Sequence, residues 1–153
     1  MRPAQTGDIA QMSRVLIASI TALCAADHHN DPVKLAAWTR NKSAEGVAAM
    51  LANPEMLTLV AEREGSVVAV GAVTRQGGVA LNYVAPEARF TGISKALLVR
   101  LEAELVGLGF AEGHLEATAT ARRFYEKAGW VANGPQATGR HVNGFPMRKR
   151  LLG

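Results

Sequence analysis

The run Val84-Ala85-Pro86-Glu87-Ala88-Arg89-Phe90-Thr91-Gly92-Ile93-Ser94 leaves an apolar stretch through a proline turn and enters a helical pattern at a glycine. A helix start presents backbone N–H groups that no preceding carbonyl reaches, and the macrodipole adds partial positive charge, so a phosphate can be held there. Gly92 has no Cβ to keep an anion at a distance, and Arg89 adds a forked cation at the same turn. An ordinary strand-to-helix turn with a surface arginine fits the same letters. Upstream, His28-His29-Asn30-Asp31 offers imidazoles that titrate near neutral pH, suited to a base or a metal ligand; a polar loop with a helix cap reads equally well. Asn82 and Tyr83 alternate along the strand before the turn, so one faces a bound ligand and the other the core.

The elements that must position these residues follow from periodicity. After Thr6-Gly7-Asp8, which can cap a helix, Ile9, Met12, Leu16, Ile20 and Leu23 recur at helical spacing. Residues 25–30 form a polar connection. Asp31-Pro32 then starts a short helix packed by Val33, Leu35, Ala36 and Trp38, and Ser43 opens a third that Asn53-Pro54 breaks. Met56–Glu62, Val67–Val73 and Val79–Val84 read as a three-strand meander turned at Glu64-Gly65 and Gly77-Gly78. Ile93, Leu97, Leu98, Leu101 and Leu105 line a long helix closed by Gly109. A short strand at His114–Ala117, a helix with Ala121, Phe124 and Ala128 on its buried face, and closing strands at Trp130-Val131 and Phe145–Leu151 complete the order. Helices, meander, helix, strand, helix and strands make an α/β (α+β) sandwich of mixed sheet direction.

At 153 residues, 48% apolar and 20% charged, the chain fits one globular domain over residues 1–153, and the apolar content leaves disorder expected only at the ends. The net charge of +4 is mild and spread from Arg2 to Arg150. Arg148-Lys149-Arg150 is the one dense basic run, without the interleaved aromatics of a nucleic-acid surface, so no nucleic-acid partner is expected. Cys24 stands alone, which excludes an intramolecular disulfide and a thiolate metal cluster and fits a reducing cytoplasm. The N-terminus has no apolar signal core and no apolar run reaches membrane length, so no membrane partner is expected. His114-Leu115-Glu116 resembles the opening of a zinc-deaminase motif but lacks the cysteine pair, and no metal site is expected.

The segment Arg89-Phe90-Thr91-Gly92-Ile93-Ser94, followed by Ala96-Leu97-Leu98, resembles the acetyl-CoA signature of the GNAT acetyltransferase superfamily: Arg or Gln, two residues, Gly, one residue, Gly or Ala. Ala121-Arg122-Arg123-Phe124-Tyr125-Glu126-Lys127-Ala128-Gly129-Trp130 is similar to a second segment of that family, in the right order and separation. Ser94 departs from the commoner Gly or Ala, and Thr118 stands where many members carry asparagine. The resemblance covers nearly the whole chain, residues 28–54 being least typical. It implies a mixed, mostly antiparallel sheet of six to seven strands with helices on both faces.

It also implies that the backbone of Phe90, Thr91, Gly92, Ile93, Ser94 and Lys95, beside Arg89, holds the pyrophosphate of acetyl-CoA, the co-substrate. Val84 would pair with the pantetheine arm where the fourth and fifth strands splay, its N–H polarising the acetyl carbonyl and stabilising a tetrahedral oxyanion. Tyr125 matches the acid that protonates the departing thiolate; a packed aromatic beside Phe124 is the plainer reading. An amine acceptor must lose a proton before attack, and Glu116, Asp31, His28 and His29 are the candidate bases. Asn82, Glu116 and the two histidines are the candidate acceptor-side residues. The acceptor is a small amine, an amino acid, an aminoglycoside-like drug or a protein amine; a small molecule is favoured because no peptide-recognition insertion is seen. A non-catalytic module that binds CoA or acyl-CoA is the competing function. A homodimer through the C-terminal strands is common in the family, and the sequence neither supports nor opposes it.

Overall fold

A computed structural model describes residues 1–137 and 144–151. The first sheet has four antiparallel strands in spatial order: β1 (Arg2–Pro3), β2 (Met56–Arg63), β3 (Ser66–Thr74) and β4 (Val79–Val84). The β2–β3 hairpin turns at Glu64 and Gly65, both at positive φ (55° and 80°), the left-handed pair that matches the twist of the flanking strands. The second sheet places β7 (Phe145–Arg150) between β5 (Glu112–Ala117) and β6 (Val131–Ala132), again antiparallel. Among the described residues, parallel contact between the sheets is confined to Gly78 and His114, where the His114 N–H donates to Gly77 O at 3.1 Å. From there β4 and β5 part. The expected mixed, mostly antiparallel fold is found, with seven strands among the described residues.

Every residue of β3 from Val67 to Val73 is buried, so both of its faces are covered. Helix α1 (Ile9–Leu23) and helix α5 (Ile93–Gly107) both pack on it. The stripe Met12, Val15, Leu16 and Ile20 buries on α1, and Leu97, Leu98, Leu101 and Leu105 on α5. Apart from Ile20, these stripes belong to one hydrophobic cluster that also takes in Leu115, Trp130 and Met147 of the second sheet region.

Between α1 and β2 run α2 (Ala25–His28), α3 (Pro32–Thr39), a 3₁₀ turn (Arg40–Lys42) and α4 (Ala44–Ala52). Asp31 caps α3 by accepting from Val33 N at 2.9 Å, with Pro32 at the first helical position, and Ser43 caps α4 by accepting from Gly46 N at 3.2 Å.

Four local expectations need correction. Asp8 does not cap α1 with its side chain; the buried carboxylate accepts from Arg2 at 2.8 and 2.9 Å and from Gln5 N at 2.8 Å, a stronger, charge-assisted set. The polar connection at 25–30 contains a one-turn helix. Val33 is 67% exposed, because α3 buries none of its residues fully. On α6 (Arg122–Lys127) the buried residue is Tyr125, while Ala121, Phe124 and Ala128 are only partly covered.

Candidate active site

The parting of β4 from β5 opens a cavity of about 360 Å³. Its walls are β4 from Val79 to Val84, the turn from Ala88 to Lys95, Leu115 and Glu116 of β5, and Tyr125 of α6. The sheet chemistry aims main-chain groups into it. Ala85 N–H donates to Val68 O at 2.8 Å, so the alternation of the antiparallel ladder turns the N–H and C=O of Val84 away from β3 and toward the gap.

At the turn, Gly92 is the N-cap of α5 at φ +83°, with no side chain capping the helix. A Cβ added there would meet nothing within 4 Å, so it is the backbone angle that favours glycine, and the space over the helix start is open. Phe90 also sits at positive φ (65°), 88% exposed, with the Arg89 guanidinium 4.5 Å from its ring centroid. Thr91 Oγ1 donates to Ala88 O and ties the turn to its own start. Arg89 and Lys95 are exposed, and neither has a carboxylate partner among the described residues. Open N–H groups, two cations and a glycine cap suit an anion of high charge.

At the other end stands Tyr125, 7% exposed, its ring edge-on to Phe124 and Trp130 at 5.3 and 6.1 Å. Burial pushes its phenol up to about 12, and a hydrogen bond from the Asn82 side chain partly opposes this. With Asn82 as donor, the phenolic proton stays available, and Asn82 Oδ1 is left buried without a partner. Cys24 also lines the cavity; burial raises its thiol to about 12, with Asp27 adding to the effect.

A second cavity of about 470 Å³ meets the first at Tyr83, Glu116 and Thr118. Its other walls are Ala37, Trp38, Arg40, Asn41, Lys42 and Gly144. The split expected on β4, one residue to a ligand and the other to the core, is not found, because both residues line the first cavity. Tyr83 lines the second cavity as well and bonds Trp38, with burial driving its phenol strongly upward, whereas Asn82 bonds Tyr125 and lines only the first.

The cavity walls thus bring together Val84, Arg89, Phe90, Thr91, Gly92, Ile93, Ser94, Lys95, Tyr125, Asn82 and Glu116. The histidines stand elsewhere. His28 is fully buried; its Nδ1 accepts from Asn30 N at 3.0 Å and its Nε2–H donates to Ile20 O at 2.8 Å, so neither nitrogen is free for a substrate. His29 is exposed in a left-handed C-cap of α2 and lines neither cavity. Asp31 is engaged as a helix cap. Among the expected bases Glu116 alone lines the cavities.

Other residues carry no signal in the sequence. Asp27 reaches across from α2 and clasps the loop into α6: its carboxylate accepts from Ala119 N and Thr120 Oγ1, each at 2.6 Å, and from Thr120 N at 3.2 Å. Arg40 and Lys42 enter through the turn between α3 and α4, beside Trp38 of α3, and that turn is positioned by packing and by Ser13 of α1. The basic run ends in ion pairs, Arg148 to Glu112 at 3.7 Å and Lys149 to Glu102 at 2.7 Å. Among the described residues no group of three metal-ligating side chains comes together, and no helix is long and apolar enough to cross a membrane.

Residues 24–151 match the family model described as an acetyltransferase (GNAT) domain. A curated relative, the IAA acetyltransferase of Azospirillum brasilense, is 38% identical in a 93-residue alignment that covers 56% of this chain and 61% of that protein. Among solved structures, the GCN5-related N-acetyltransferase of Rhodopseudomonas palustris superposes with a TM-score of 0.86 at 24% identity, over 97% of this chain and 93% of that one. The PaiA N-acetyltransferase of Thermoplasma acidophilum, in complex with coenzyme A, gives 0.82 at 20% identity, over 97% and 96%. At these identities the structural likeness speaks for the fold.

Proposed function

The chain belongs to the GNAT acetyltransferase family, and from that premise we propose that it moves an acetyl group from acetyl-CoA to the amine of a small molecule by direct attack. The observation that carries the reading is the single cavity that runs from the uncapped start of α5 to Tyr125 along the free edge of β4. Acetyl-CoA fits the residues present: a pyrophosphate suits the open N–H groups of 92–95 with Arg89, and an acylated thiol arm suits the gap along Val84. When bound it supplies an activated acyl group.

The chain's own residues do the rest. Val84 N–H, turned from β3, donates to the acetyl carbonyl oxygen and stabilises the negative charge that gathers there on attack. Tyr125 holds its proton at any ordinary pH, since burial keeps the phenol near 12, and delivers it to the departing sulfur. Glu116, on the wall shared by both cavities, stands where an incoming ammonium must lose its proton, directly or through water. Holding the two reactants in adjoining cavities supplies the proximity.

The test is thermal unfolding with and without acetyl-CoA, followed by CoA release over a panel of amines. A raised midpoint with turnover of at least one amine supports the reading. A raised midpoint with no turnover across the panel favours a CoA-binding module, and no rise at saturating acetyl-CoA removes the reading.

A further inference from the structure

We propose that the acceptor carries an oxyanion at the end remote from its reacting amine, held by Lys42 and Arg40. The inference rests on the acetyltransferase reading and specifies the substrate class of the same site.

The second cavity has an uneven charge. Among its described lining residues Glu116, shared with the first cavity, is the one carboxylate, whereas the turn Arg40-Asn41-Lys42 brings two cations. Lys42 is 92% buried, the complement of its 8% exposure, and burial lowers its affinity for the proton. Its Nζ donates to Asn41 Oδ1 at 2.7 Å, and among the described residues neither Lys42 nor Arg40 has a carboxylate within ion-pairing reach. An ammonium has three donors, so two remain. Asn41, its one partner, lines the same cavity, which puts the ammonium at the cavity wall.

A buried, unpaired lysine is costly, and such groups persist where something compensates them. The turn is also built rather than loose. Ser13 Oγ donates to Lys42 O at 2.6 Å, fixing the turn to α1. On the other side Gly46 presses against it so closely that a Cβ there would lie 2.1 Å from Asn41 O. Lys42 and Arg40 thus share a built turn that lines the same cavity as the rings of Trp38 and Tyr83. An oxyanion on the acceptor supplies the missing charge, while its ammonium end is directed to Glu116. A polycation such as an aminoglycoside meets two like charges instead.

The experiment measures kcat/KM with acetyl-CoA for 4-aminobutyrate, 6-aminohexanoate and 3-aminopropylphosphonate against butylamine and hexylamine, whose amines are of similar basicity, and for kanamycin. Hydrogen bonds to a charged group predict a preference of roughly 10- to 100-fold for the best oxyanion-bearing amine over its plain counterpart. The phosphonate arm reads which oxyanion is favoured. In Lys42→Met, which keeps the volume, and in the exposed Arg40→Gln, the preference ratio collapses toward one. Acetyl-CoA-dependent thermal shifts in both variants report that they fold and keep the first cavity.

A parent enzyme that turns over the plain amines or kanamycin as well as the acids overturns the inference and leaves the acetyltransferase reading intact. Loss of the acetyl-CoA shift in the parent overturns both.

Discussion

Replacing Gly92 with glutamate separates the stability of the turn from its affinity for anions. At φ +83° any residue with a Cβ is strained by about 1–2 kcal/mol, and the open surroundings add no clash. At ~2–4 °C per kcal/mol for a chain of this size, Gly92→Ala lowers the unfolding midpoint by roughly 2–8 °C. Gly92→Glu suffers the same strain but regains ~0.3–1 kcal/mol from a carboxylate at the start of α5, so without ligand it is at least as stable as the alanine variant. With acetyl-CoA the order reverses. At 100 times its Kd the ligand stabilises the parent by ~2.7 kcal/mol, a rise of roughly 5–11 °C. A carboxylate ~4 Å from a phosphate costs between ~1 kcal/mol in water and ~4 kcal/mol at a protein surface. Taking about 3 kcal/mol, binding weakens roughly 100-fold and the ligand-induced gain falls to ~0.4 kcal/mol, a rise of at most about 2 °C. Differential scanning fluorimetry of the three proteins across an acetyl-CoA titration reads all four quantities. A glutamate variant that keeps the parent's full ligand-induced rise would refute an anion site at this helix start.

Tyr125→Phe is expected to lower kcat by about 10²-fold, the low end for general acid catalysis, while the acetyl-CoA-induced thermal shift persists; stopped-flow turnover and fluorimetry check it. Because folded Tyr125 and Cys24 both titrate near 12, against ordinary values of 10.0 and 9.0, their neutral forms are favoured in the folded state. Their contribution to stability is complete below about pH 9 and is lost as pH rises toward 12, which alkaline denaturation curves will show, and Cys24 resists thiol reagents at pH 8 until the chain unfolds. His28→Leu removes the buried bond to Ile20 C=O, which Cys24 N–H also reaches at 3.3 Å, and the acceptor of the exposed Asn30 N–H, and costs roughly 1–2 kcal/mol, seen in urea unfolding, yet leaves the pH profile of kcat unchanged because the imidazole does not face the cavity.

The local part of the site is legible in the sequence because its signals are short-range. A strand, a proline, a glycine and a helical period within eleven residues specify the turn at 84–94, and the cavity formed there includes each residue expected of it. The histidines show the limit of the method. His28 and His29 are neighbours with the same letter, but one turn of α2 sends the first into the core against Trp38 and the second into solvent, and only tertiary packing decides which. Lys42 is harder still. A lysine before a helix cap normally points to water, and its burial comes from Ser13, which is 29 positions away, and from the close approach of Gly46. Asp27 reaches its partners across 92 and 93 positions, a separation that periodicity does not register.

The seam between β4 and β5 has a mechanical meaning as well. A continuous sheet shares load and protection across every rung, whereas here, among the described residues, the two sheets are zipped only at Gly78 and His114, and below that rung the edge amides of β4 have no described strand opposite. Amide hydrogen exchange should therefore be quick at Val84 in the free protein, although its neighbours in β3 are among the most enclosed of the chain. An extended ligand lying in the gap would act as a stave between the two sheets, slowing exchange on both banks at once. Such a molecule is part of the architecture for as long as it stays, and its departure leaves the two sheets joined through their common hydrophobic cluster.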